Sequence, residues 1–173
     1  MSKLQRYVFL SLLTAGAMIL SIIEGMIPLP FIAPGAKLGL ANIVTLTVIV
    51  IFGFKDSLLV VILRCILTMF VAGNPISFIY SIASGIMSII VMYTGLKYVG
   101  RYFSLIGISV LGAIAHNAAQ ITVAAVMFEN LSLYTYLPIM SLVSIFTGCF
   151  VGYTSIYITD NLNKNLLNRK NEV

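Results

Sequence analysis

Charge is what this chain has least of. Only 9% of its 173 residues are Asp, Glu, Lys or Arg, against 60% hydrophobic, and the mean hydropathy is +1.08. A soluble domain of this size could not cover so much apolar surface with so few charges, so the composition predicts an all-α integral membrane protein. Acidic residues number five, none adjacent to another. Metal-assisted catalysis gathers carboxylates around a cation, so no metal or other cofactor is expected. The single histidine has no nucleophile partner in sequence, and no Gly-x-x-x-x-Gly-Lys-Ser/Thr loop is present to hydrolyse ATP. Catalytic residues are therefore not assigned, and the reading is of a non-enzyme. Cys65 and Cys149 both lie inside apolar runs, which argues against a disulfide framework or a zinc site.

What the chain has in quantity is apolar runs. Six are long enough to cross a hydrocarbon core of roughly 30 Å. They cover about residues 6–27, 37–54, 56–72, 75–96, 103–128 and 133–159, and a polar tail follows from Asp160 to Val173. The first is too long for a signal-peptide core, which predicts an uncleaved helix. The intervening segments are short, so one six-helix transmembrane domain is expected over 1–173. Basic residues fall in the gaps: Lys3, Arg6, Lys55, Lys97, Arg101, Lys164, Arg169 and Lys170 lie on the side of the N-terminus, and only Lys37 lies opposite. That bias predicts cytoplasmic termini, and it makes the net charge of +5 a topology signal rather than a nucleic-acid patch.

Residues 24–42 differ from the runs that flank them. Pro28, Pro30 and Pro34 forbid a continuous helix there. Glu24 stands before this rigid stretch, Lys37 after it, and Asn42 one turn into the next run. The charge bias places the segment on the outer face, where it would line or cover a binding site. Polar residues inside the spans should face protein or water, because lipid cannot solvate them. Arg64 is near mid-membrane in the third run, open to a ligand role or to a structural ion pair with Glu24 or helix carbonyls. In the fifth run His116 and Gln120, four apart, share a helix face, with Asn117 about 100° round. Ser77, Ser81, Ser84 and Ser88 form a stripe in the fourth run, with Tyr80 beside it. A serine stripe serves close helix packing as readily as ligand contact. Glu24, Lys37, Asn42, Asn74 and Tyr80 lie toward the outer half, where Tyr80 and Phe31 could cover the apolar part of a solute.

These residues carry a resemblance. The most specific stretches are Ser21 to Glu24, Lys37 to Asn42, Leu63-Arg64, Gly73-Asn74 and Gly112-Ala113-x-x-His116-Asn117-x-x-Gln120. The chain resembles the substrate-binding S components of energy-coupling-factor (ECF) transporters. More narrowly, it looks like the Gx transporter family, whose members are often labelled heptaprenyl diphosphate synthase component I. The resemblance implies a multi-pass protein of a prokaryotic cell membrane that captures a vitamin-like solute outside, flavin-type compounds among the candidates. It would then dock on a membrane coupling subunit driven by two cytoplasmic ATPases. The family's docking Ala-x-x-x-Ala pair reads Ser11-x-x-x-Ala15 here. The binding set this implies is Glu24, Lys37, Asn42, Arg64, Asn74, Tyr80, Ser81, His116, Asn117 and Gln120. Two other classes stay open: a non-catalytic accessory subunit of a polyprenyl diphosphate synthase, and a structural scaffold. Clustered aspartates, which prenyl-diphosphate synthesis normally needs, are missing, and this argues against catalysis but not against the accessory role.

Overall fold

A computed structural model describes residues 3–26, 39–73 and 75–171. Among them the chain is helical throughout, with six α-helices: α1 (Lys3–Met26), α2 (Asn42–Phe52), α3 (Phe54–Ala72), α4 (Pro75–Thr94), α5 (Leu105–Met127) and α6 (Leu137–Asn171). A π-helical turn, Gly95–Val99, extends α4, and a 3-10 turn, Leu131–Tyr136, leads into α6. The breaks follow local chemistry. Gly73 closes α3 in the left-handed conformation, its N–H bonded to the Met69 carbonyl at 2.9 Å. Pro75 then opens α4, where a missing amide hydrogen costs nothing. Ser104 caps α5 by accepting from the Gly107 N–H.

Helix α2 sits in the middle. It packs against α1, α3, α4 and α6, and every residue from Asn42 to Ile49 is buried. A helix apolar on all faces can only be stable when covered on all faces. The other five helices wrap it through α1–α3, α3–α4, α4–α5 and α5–α6 contacts, with α6 returning to α2. The α5–α6 seam is drawn tight by Gly148 and Gly152, where a Cβ would come within 2.6 Å of the Val110 and Ile106 Cα atoms. Two clusters fill the interior: Leu46, Ile49, Val61, Cys65, Ile89, Met92 and Ile108 on one side of α2, and Leu10, Ala17, Val44, Val48 and Val60 on the other.

The surface inverts the soluble pattern. On α1 the buried line is Thr14, Ala17, Ser21 and Glu24, while Leu12, Ile19 and Ile23 face outward. Leu142, Phe146, Phe150 and Tyr153 do the same on α6. Apolar side chains outside and polar ones inside suit a lipid solvent. Among the described residues, four helical segments are long and apolar enough to cross a membrane: Lys3–Met26, Pro75–Val99, Leu105–Met127 and Leu131–Leu162. The other two sequence runs take different forms. Helix α2 starts at Asn42 rather than near residue 37, and its 11 residues span about 16 Å. Helix α3 has 19 residues but carries Lys55, Asp56 and Arg64. The polar tail proves to be a helical continuation of α6 as far as Asn171.

Candidate functional site

Gly39 is the hinge of the site. Its φ of +88° lies where L side chains rarely go, and a Cβ there would stand 3.0 Å from Asn42 Nδ2 and 3.4 Å from His116 Cδ2. Glycine thus lets the backbone run directly over two polar side chains. The buried Glu24 carboxylate, from the last turn of α1, holds this backbone down. Its Oε1 accepts from the Gly39 N–H and from the Leu40 N–H, the latter at 3.3 Å. Hydrogen bonds to an ionised acceptor are about twice as strong as neutral ones, so the start of α2 is anchored to the end of α1.

Asn42, His116 and Gln120 gather beneath. All three are buried. Gln120 Nε2 lies 3.1 Å from His116 Nε2. The contact joins the two side chains across one turn of α5. Neither Asn42 Oδ1 nor Asn42 Nδ2 has a hydrogen-bond partner among the described residues. Burial of a whole amide in that state costs several kcal/mol by transfer scales, roughly 2–7.

Arg64, on α3, reaches α1 one turn before Glu24. Its Nη1 donates to Ser21 Oγ at 3.3 Å, while Nε and Nη2 are buried with no partner among the described residues. The Glu24–Arg64 ion pair left open by the sequence is not formed. Gly85 on α4 makes room for the guanidinium, since a Cβ there would be 3.3 Å from Nη2 and 2.7 Å from Val61 Cγ1. Tyr80 is 1% exposed and its hydroxyl has no partner among the described residues. Ser81 is buried and, with Thr68, Cys65 and Ser77, lines a small recess between the end of α3 and the start of α4, with room for about one water.

Asn117 goes elsewhere. Its Nδ2 donates to Ser144 Oγ at 2.7 Å and to the Met140 carbonyl at 3.4 Å, tying α5 to α6. The serine stripe likewise divides. Ser84 bonds back to its own helix at Tyr80 O, whereas Ser88 crosses to the Gly112 carbonyl at 3.0 Å. Lys37, Asn74, Phe31, Pro28, Pro30 and Pro34 lie outside the described residues. Ser11 and Ala15 are both exposed on α1.

Against known protein families, residues 13–158 match heptaprenyl diphosphate synthase component I. The chain belongs to that family. No curated protein and no solved structure matches. In this heptaprenyl diphosphate synthase component I chain the matched region takes in Glu24, Asn42, Arg64, Tyr80, Ser81, His116, Asn117 and Gln120, and leaves Ser11 outside it. Sequence reasoning overlooked Gly39, although it stands inside the quoted Lys37–Asn42 stretch. A glycine just ahead of a helix start, between two leucines, was the available signal. Thr68 was overlooked too, although it lies one helical turn from Arg64, and nothing in its local sequence marked it.

Proposed function

We propose that this protein is a non-catalytic, solute-binding membrane subunit of the S-component type, serving an ECF-like transporter. The observation that carries the reading is the set of buried, unpartnered polar atoms on Asn42, Arg64 and Tyr80, with Asn42 lying against a backbone segment that Glu24 holds in place. Groups of this kind are costly to bury and gain partners when a polar solute enters. In this reading α2 and α3 complete six spans, both termini are cytoplasmic, and the proline segment faces outward. Glu24, Asn42, His116 and Gln120 form the entrance wall, with Lys37 contributing there. Asn117, bound to α6, supports that wall.

Helix α1 offers the docking face. Ser11 and Ala15 are small, exposed and one turn apart, so another helix can approach closely. The partner there is a membrane coupling subunit with two cytoplasmic ATPases. A second reading follows from the family's name: a membrane accessory subunit that partners another synthase component. Affinity purification from mild detergent separates them. ATPases and a membrane coupling protein in the eluate, lost when Ser11→Leu and Ala15→Leu are combined, support transport. Recovery of a soluble prenyl synthase, unaffected by the same pair, would replace transport with the accessory role.

A further inference from the structure

Arg64 poses a specific electrostatic problem. The guanidinium is 3% exposed, and its hydrogen-bond partner among the described residues is a neutral hydroxyl, Ser21 Oγ. A buried cation without a counter-charge is strongly unfavourable, and removing such a charge often stabilises a protein. The two atoms left without partners are not arbitrary. Nε and Nη2 are the two donors on one edge of the guanidinium plane, the edge that meets two oxygens of a carboxylate or phosphate in parallel. Glu24 does not fill it, because its Oε1 faces the Gly39 and Leu40 amides. Ser21 occupies the remaining nitrogen, Nη1, which fixes the direction of the free edge.

A second unpartnered donor lies one helical turn away. Thr68 is one turn from Arg64 on α3, and Ser81 is one turn from Gly85 on α4, the glycine against which Nη2 rests. Both line the recess between the two helices, and Thr68 Oγ1 has no partner among the described residues.

We propose that the Nε/Nη2 edge of Arg64, with the Thr68 hydroxyl, receives an oxyanion, so that the solute is an acid carrying a carboxylate or phosphate group. This rests on the solute-binding reading and names the class of solute. Arg64 supplies the charge and the two-pronged geometry, Thr68 adds one donor at the recess wall, and Gly85 keeps the fork from being pushed aside.

The test uses the full chain in detergent, with melting followed as inorganic phosphate, benzoate or chloride is added at matched ionic strength. Stabilisation by phosphate or by benzoate beyond chloride supports the assignment, and which of the two acts tells phosphate from carboxylate. No stabilisation by either overturns it. Arg64→Met should abolish the response while leaving the apo melting temperature equal or higher. Arg64→Lys should keep only part of it, since the charge remains but the fork does not. Thr68→Val should weaken the response about ten-fold, as expected for one hydrogen bond to a charged group. An Arg64→Met variant that melts lower and still responds to oxyanions would make Arg64 structural and overturn the proposal. Native mass spectrometry of the same preparations keeps the two readings apart. Solute retained by the parent and lost in Gln120→Ala, with no oxyanion response, sinks the oxyanion assignment alone. An Arg64-dependent response with no retained solute and no coupling partner sinks transport alone.

Discussion

Replacing Gly39 by alanine tests the site through its backbone. At φ +88° an L residue costs about 1–2 kcal/mol in the left-handed region. The new methyl would also meet Asn42 Nδ2 at 3.0 Å and His116 Cδ2 at 3.4 Å. The Asn42 amide is a side-chain tip and can yield by a few tenths of an ångström. The imidazole is pinned by Gln120 at 3.1 Å and yields less. Together the two effects come to about 2–3 kcal/mol, in the range for overpacking a tight site. For a chain of this length that is a fall in Tm on the order of 4–12 °C. Any retained solute should be lost as well, because the Glu24 anchor is made to this residue's N–H. Gly16→Ala is the matching control. It lies inside α1 with nothing within 4 Å of its Cβ position, so alanine there should stabilise by about 0.5–1 kcal/mol. Thermal melting of the two purified variants beside the parent decides the matter. If Gly39→Ala melts with the parent, or the two substitutions shift melting in the same direction, the backbone at Gly39 is not constrained as described.

Two further outcomes are expected. Asn117→Ala and Gln120→Ala should part company: Asn117→Ala loses the bonds to Ser144 and Met140 and should lower stability by about 1–3 kcal/mol, whereas Gln120→Ala should weaken solute binding about ten-fold with a smaller effect on apo melting. Paired melting and affinity measurements would show the reverse pattern if Asn117 were the ligand contact. Cysteines placed at the exposed Asn130 and Arg101 should label oppositely with a membrane-impermeant thiol reagent on intact cells, Asn130 reacting and Arg101 protected; labelling at Arg101 alone would invert the proposed orientation.

Periodicity made parts of the site readable and left others hidden, for a physical reason. The Thr14–Ala17–Ser21–Glu24 line and the His116–Gln120 pair follow from helical spacing, and both are buried as such spacing in lipid requires. The α3–α4 break was equally plain from Gly73 and Pro75. Spacing says which residues share a face but not which neighbour the face meets. Asn117 falls in the same implied binding set as Gln120, yet one step round α5 turns it to Ser144 on α6, a partner 27 residues away in sequence. Arg64 likewise had Glu24 as an obvious partner by charge, while the fold gave it Ser21, one turn short. The nature of α2 was hidden for another reason. Its composition matches a lipid-facing span and a fully covered central helix equally well, and only the four helices packed against it decide between them.

The separation of Glu24 from Arg64 is the feature that best ties this packing to the proposed binding role. Both charges are buried on the same side of α1, yet each is handled differently. Glu24 is matched by main-chain donors at Gly39 and Leu40, so its charge is spent on holding the segment that roofs the site. Arg64 is matched by one hydroxyl and keeps a two-donor edge unused. Had the two paired directly, both desolvation costs would fall, and neither the roof nor a receptive cation would remain. Gly85 and Gly39 are the residues that prevent this collapse, one by giving the guanidinium space against α4, the other by bringing two backbone amides to the carboxylate. A purely structural scaffold gains nothing from keeping them apart. A protein that must hold a roof in place and still attract an acid gains both.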